Sequence, residues 1–218
     1  MKSNKLLKEI ILLFIAIVPL IYYIYLWNSL PARIPVHFDL HGNPNNYGSR
    51  YYIAYTLLFL NIGTYLLLLV IPKIDSKKNF EIFSSTFYKL RIILSLLFST
   101  ISFMIISSAQ TGKVSNSILY IIIAFFISIL GNYISNVRPN YFLGIRNPWT
   151  LENEFVWRKT HKFGGRLMFF SGILIILTII ALHSTGYVFF IFITWIIIIT
   201  LITTVYSYWI YKKTLKTS

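Results

Sequence analysis

Apolar positions fill this chain in long blocks, and the polar positions are gathered between them. No Asp, Glu, Lys or Arg occurs over 10–32, 51–72, 92–112 or 114–137, and a fifth block, 167–211, runs for 45 residues without one. A helix that crosses the hydrocarbon core needs about 20 apolar residues. The first four blocks therefore predict one span each. The fifth holds two, turned at His183-Ser184-Thr185-Gly186. The pattern predicts an all-α polytopic membrane protein with six transmembrane helices, in two three-helix membrane domains over 6–108 and 117–211. A polar loop at 28–50 belongs to the first and a polar segment at 140–166 to the second. The first helix, with Pro19 inside it, has too long an apolar run and no small-residue cleavage site for a signal peptide, so it is expected to be retained.

Composition agrees: 56% of residues are hydrophobic, 12% are charged, and mean hydropathy is +0.69, outside the soluble class. The formal charge of +14 gives the spans a direction. With the N-terminus inside, 17 of the 20 Lys and Arg lie on that side, leaving Arg33, Arg50 and Lys113 outside. The positive-inside rule then makes both termini cytoplasmic. These basic residues are spread over four juxtamembrane segments, where they meet lipid headgroups. The lipid bilayer is thus the expected partner, with no direct nucleic acid. Without cysteine, thiolate chemistry and Cys metal sites are excluded. The spans carry no ionisable side chain near their middle, which weighs against an ion-coupled transporter. Helix contacts are expected at small or hydroxylated residues: Gly63 and Thr64, Ser95 and Ser99, Ser128 and Gly131, Ser171 and Gly172, and Thr200, Thr203 and Thr204.

The outer segment should start extended, because Pro31 and Pro35 fix their own φ and bias the preceding residues away from the helix. Ile34, Val36, Phe38 and Leu40 alternate with Pro35, His37, Asp39 and His41. Gly42-Asn43-Pro44-Asn45-Asn46 reads as turns, giving a short extended finger that returns to the membrane at Tyr51 and Tyr52. One face would carry His37, Asp39 and His41, a metal triad in outline. No further ligand supports it, and ordinary interfacial polarity is the preferred reading, with no metal or cofactor. The basic loop over 72–89 reads as an interfacial helix through Phe80, Ile82, Phe83 and Phe87.

The inner segment is the most distinctive stretch. Gly144 should supply a turn. Thr150 reads as an N-cap, Glu152 and Glu154 fall in the first turn, and Arg158, Lys159 and Lys162 follow, as a helix dipole favours. A short cytoplasmic helix from Leu151 to about Lys162 is expected between the fourth and fifth spans, ended by Gly164-Gly165. Trp149, Phe155 and Trp157 suit a headgroup anchor. The crowding of Arg146, Asn147, Trp149, Thr150, Trp157, Thr160 and His161 suits a protein contact as well. His161 with Arg146 and Glu152 raises acid–base chemistry, but no nucleophile, carboxylate pair or phosphate loop accompanies them, so no enzyme is expected.

Residues 144–161, GIRNPWTLENEFVWRKTH, followed by Gly164-Gly165, resemble the signature G-I-R-T-x-W-T-L-x-N-x-x-V-W-x-x-T-H of the SdpI family. Asn147 departs from it where Thr is commoner. Leu30-Pro31, Ile34-Pro35, His37-Phe38 and Gly42 resemble the domain of unknown function often fused in front. The resemblance implies a protein of the bacterial plasma membrane that gives immunity to a secreted antimicrobial peptide toxin. It also implies a receptor that sequesters an ArsR-like transcriptional repressor on the cytoplasmic face. By position it marks Gly144, Ile145, Arg146, Trp149, Thr150, Asn153, Trp157, Thr160, His161 and Gly165 as the cytoplasmic, partner-facing signature. Pro31, Pro35, His37, Phe38 and Gly42 are the outer, ligand-facing candidates. The alternative is a small permease or transporter subunit gated by the two polar segments.

Overall fold

The computed structural model describes residues 2–182 and 186–217. Its elements run α1 (Lys2–Leu26), β1 (Arg33–Phe38), β2 (Pro44–Ser49), α2 (Arg50–Leu58), α3 (Thr64–Ile74), α4 (Ser84–Thr111), α5 (Asn116–Ile134), α6 (Pro148–Glu152), α7 (Glu154–Leu182) and α8 (Val188–Thr217). Among the described residues, six stretches are long and apolar enough to cross a bilayer: Lys5–Ser29, Arg50–Ile74, Ser84–Thr111, Asn116–Ile134, Glu154–Leu182 and Val188–Lys216. The chain is an all-α multi-pass membrane protein, as its pattern predicts. Of the turn expected at 183–186, only Gly186 lies within the described residues. A π-helical turn, Phe59–Gly63, joins α2 to α3 inside the second span.

The chain forms two compact units. One comprises Met1–Leu69, Arg91–Ile122 and Ser184–Phe189. Its core gathers Tyr23, Leu30, Ile34, Ile53, Leu57, Ile106 and Ala109. β1 and β2 pair antiparallel, with Arg33 opposite Ser49 and Phe38 opposite Pro44. Two register shifts follow, between Pro35 and His37 and between His37 and Phe38, and the adjacent Ile34 and Pro35 are both buried. The turn is tighter than its composition suggested. Asp39 closes it within five residues, and Pro44, Asn45 and Asn46 belong to β2 rather than to a turn. In the same unit the Arg91 guanidinium grips Glu9 through two bonds, of 2.6 and 2.9 Å, and Tyr65 Oη donates to the same carboxylate at 3.2 Å. Along α4, Ser95, Ser99 and Ser102 continue a buried polar stripe from Arg91. Asn61, inside the π-helical turn, donates to Ser102 Oγ at 2.7 Å and to Leu57 O at 2.9 Å.

The second unit comprises Val70–Leu90, Ile123–His183 and Phe190–Ser218. Here the sequence reading needs two corrections. Phe80, Phe83 and Phe87 do not lie along an interfacial helix. They pack together in tilted and edge-on pairs and are buried, while only Ile82 of that group stays exposed. Asn79–Glu81 is a single 3-10 turn and α4 starts at Ser84. Second, no helix ends at Gly164-Gly165. α7 runs unbroken from Glu154 to Leu182 through both glycines, because each removes a side chain where another backbone or side chain must pass. A methyl on Gly165 would sit 2.6 Å from Gly131 O, and one on Gly131 would sit 2.6 Å from Gly165 O. The two helices therefore cross backbone to backbone, the close approach small residues permit in membranes. One turn further, Ser128 Oγ donates to Phe169 O at 2.8 Å, and Gly172 leaves room for that hydroxyl. Ser128 and Gly131, Ser171 and Gly172, and Thr203 thus lie buried, as the small-residue reading expects.

Candidate functional site

The segment between α5 and α7 folds on its own side chains. Asn140, fully buried, uses both ends of its amide. Nδ2 donates to Arg138 O and Leu143 O, and Oδ1 accepts from the amides of Phe142 and Leu143 at 2.8 and 2.6 Å. Gly144 then adopts φ +118°, a conformation other residues avoid. A methyl there would run into the His161 ring.

His161 is the hub. Its Nε2 accepts from Ile145 N at 2.9 Å, which puts the ring proton on Nδ1, and Nδ1 donates to Trp157 O at 2.9 Å. Both ring nitrogens are thereby committed to backbone groups, and the imidazole is held as a neutral strut. Trp157 stacks on it, centroids 4.0 Å apart and 19° from parallel. The indole Nε1 donates to Val137 O at 2.7 Å. Trp157, Thr160 and His161 expose none of their surface.

The expected N-cap moves by three residues. Asn147 caps α6, its Oδ1 accepting from Thr150 N at 3.0 Å, while Thr150 Oγ1 accepts from Asn147 N at 3.0 Å. Thr150 is therefore the reciprocal member of a capping box. The Thr150 hydroxyl also points at Ile145 O, 3.0 Å away. Asn147 also reaches α8, where its Nδ2 donates to Ser207 Oγ at 2.7 Å. Asn153 breaks the predicted single helix in two. Its backbone is extended, and its Oδ1 caps the amides of Phe155 and Val156, starting α7 at Glu154. Ile145 packs over Gly164, and Trp149 meets Tyr208 at 5.1 Å. Arg146 remains exposed, its guanidinium donating to Tyr141 O.

Sequence reasoning missed the loop after α3 that clasps this segment. Asp75 Oδ1 accepts from Tyr141 N at 3.0 Å, Lys77 Nζ donates to Leu151 O at 2.8 Å, and Asn79 Nδ2 donates to Pro139 O at 2.7 Å. Asp75 is buried, and among the described residues its second oxygen has no hydrogen-bond partner. The alternate spacing Asp75, Lys77, Asn79 was the available signal, but only the fold shows what it faces.

The outer candidates divide likewise. Gly42, at φ +82°, is buried because Val114 O lies against it, and Val114 N donates back to Gly42 O at 3.3 Å. Asn116 Nδ2 donates to Asp39 O and Leu40 O. The tip of the finger is thus tied to the turn between α4 and α5. Pro35 is buried, Phe38 half-buried, and Pro31 and His37 exposed, with His37 Nδ1 2.6 Å from Asn45 Oδ1. Asp39 Oδ1 accepts from the amides of His41 and Asn43. The Asn43 bond above all holds its carboxyl below the usual range. That oxygen belongs to the turn, and among the described residues no three His, Asp or Glu cluster as metal ligands.

Residues 136–207 match the model of the SdpI/YfhL protein family, and 14–62 match a domain of unknown function, DUF1648. The segment lies inside the stretch that matches the SdpI/YfhL family model. The full chain is 25% identical over 207 residues to "Immunity protein SdpI" of Bacillus subtilis (strain 168), covering 94% of this chain and 97% of that one. No solved structure matches. The SdpI match spans the Asn140 loop, the Gly144–His161 hub and the hook from Asn147 to α8. The DUF1648 match covers the finger and the first part of the second span.

Proposed function

We propose that this protein is an immunity protein of the bacterial plasma membrane, protecting its cell from a secreted antimicrobial peptide toxin. The observation that carries the reading is the near full-length similarity to a curated immunity protein. It is supported by one elaborated polar segment after the first span and another after the fourth, which an odd and an even span count assign to opposite membrane faces. By the basic-residue bias, the finger faces outward and the SdpI segment faces the cytoplasm. The finger and the exposed Tyr47, Tyr51, Tyr52 and Tyr55 offer the peptide an aromatic, hydrogen-bonding surface. The decisive experiment expresses the gene in a toxin-sensitive strain and challenges it with candidate peptides. Protection is expected, and unchanged killing across the panel would end the proposal.

The same reading extends to a signalling role, in which toxin-bound protein holds an ArsR-like repressor at the membrane. The exposed side chains suited to that contact are Arg146, Phe155, Arg158, Lys159 and Lys162, because the buried Trp157 and His161 have no surface to offer. Arg158→Glu with Lys162→Glu should abolish co-sedimentation of the repressor with membranes while leaving protein abundance unchanged. Retained co-sedimentation would confine this segment to a structural role.

A further inference from the structure

Two helices of the first unit are each interrupted between the same pair of fixed points. At the outer point Tyr23 Oη donates to Arg50 O at 2.6 Å, and Arg50 Nη1 donates to Trp27 O at 2.8 Å. At the inner point Tyr65 Oη and the Arg91 guanidinium share the Glu9 carboxylate. Between Glu9 and Tyr23, α1 carries the buried Pro19, which has no N–H to offer Ile15 O. Between Arg50 and Tyr65, the second span carries the π-helical turn Phe59–Gly63, which packs against α1. Beyond these breaks the outer parts of α1 and α2 share one core with the finger, through Tyr23, Ile34, Ile53 and Leu57. β2 ends at Ser49 and α2 starts at Arg50, so no linker separates finger from helix. That core meets α4 through Ile106 and Ala109, an apolar contact of the kind along which packed helices shear. Asn61, in the π-helical turn, ties it to α4 by a hydrogen bond. Its Nδ2 donates back to Leu57 O, inside the helix's own ladder, and across to Ser102 Oγ. Leu57 O is able only to accept, which fixes the nitrogen on that side. The amide oxygen is left buried and, among the described residues, without a partner. An unpaired buried acceptor is costly, so this arrangement is held at the expense of Asn61.

We propose that the outer parts of α1 and α2, with the finger, rock as one body against α4 about Pro19 and the π-helical turn, and that the Asn61–Ser102 bond latches this body in place. The tip of the finger, bonded to Val114 and Asn116, is the far pivot. Breaking the latch lets the Asn61 amide turn and pair its stranded oxygen, which offsets the bond that is lost. The joint does not depend on what the finger receives, since any load on the finger passes along α2 to the same latch.

The chain has no cysteine, so spin-label pairs can be placed on the full protein in nanodiscs and their distances read by double electron–electron resonance. Tyr55→Cys with Leu96→Cys reports the body against α4, and Ile24→Cys with Tyr55→Cys reports the inside of the body. All three side chains are exposed. With the latch intact, each pair should give one distance. Asn61→Leu should split the first pair into two populations and leave the second unchanged. Ser102→Ala cuts the same bond from α4 and should do likewise. Pro19→Ala together with deletion of Leu60, which closes the i→i+5 turn to i→i+4, should return the Asn61→Leu protein to one distance. An unsplit first pair in both latch variants, or equal spreading of both pairs, would mean a bundle without a joint and overturn the proposal. A split that survives repair of the two breaks would overturn it as well, by placing the motion elsewhere.

Discussion

At the scale of single residues, the signature is mostly interior. Gly144→Ala must both hold φ +118° and displace the His161 ring, so it should cost roughly 2–4 kcal/mol, visible as a lower unfolding temperature in detergent. Trp157→Ala should cost about 3–5 kcal/mol, because a fully buried ring and its bond to Val137 O go together. At the finger, Asp39 contributes through a carboxyl held below its ordinary value of 3.8. A depressed folded value gives stability that is complete above the unfolded one and lost as pH falls through the folded one. The tip should therefore stay closed at neutral pH and open only in strong acid, seen as faster amide exchange at His41 and Asn43. Asp39→Asn, which keeps an accepting oxygen but cannot protonate, should remove that pH dependence. A persistent acid transition in the Asn variant would place its origin elsewhere.

Among elements, the sequence was clear wherever one periodicity governed a long run. The six spans follow from intervals free of charge, because twenty residues of lipid contact leave no room for ambiguity. Short elements were harder. Leu151–Lys162 has the charge order of one helix, but Asn153 adopts an extended backbone and caps the next helix, a local choice that competes evenly with propensity. Gly164-Gly165 carries the same letters as a helix end, and only the arrival of Gly131 makes it a crossing point instead. Gly165→Leu should therefore drive α5 and α7 apart and abolish folding, whereas a true helix-end glycine would tolerate the change at a cost near 1 kcal/mol. Expression and trypsin resistance distinguish the outcomes. The Glu9–Arg91 pair was invisible because its members are 82 positions apart. Arg91→Met should destabilise by roughly 2–3 kcal/mol by stranding Glu9, and adding Glu9→Gln should recover much of that loss.

For the whole molecule, the family resemblance read from residues 144–161 and 30–42 was confirmed by matches that cover those same stretches, and the six-span architecture followed from the charge-free apolar intervals. The sequence could not say which signature residues touch a partner, since that depends on burial set by distant chain: Asp75, Lys77 and Asn79 reach the segment from sixty or more positions away. Orientation stays an inference from charge, and it is testable at this scale. Reporter fusions after Asn46 and after Lys162 should report opposite compartments.

The nesting of a bare α-carbon against an imidazole bears on how such proteins diversify. The letters that spell the hallmark leave little room for change, since most of them are committed to holding the chain's own shape. Novelty is expected instead at the exposed tyrosines Tyr47, Tyr51, Tyr52 and Tyr55 and at the exposed cations Arg158, Lys159 and Lys162. Kin should share the hallmark and differ in the skin around it.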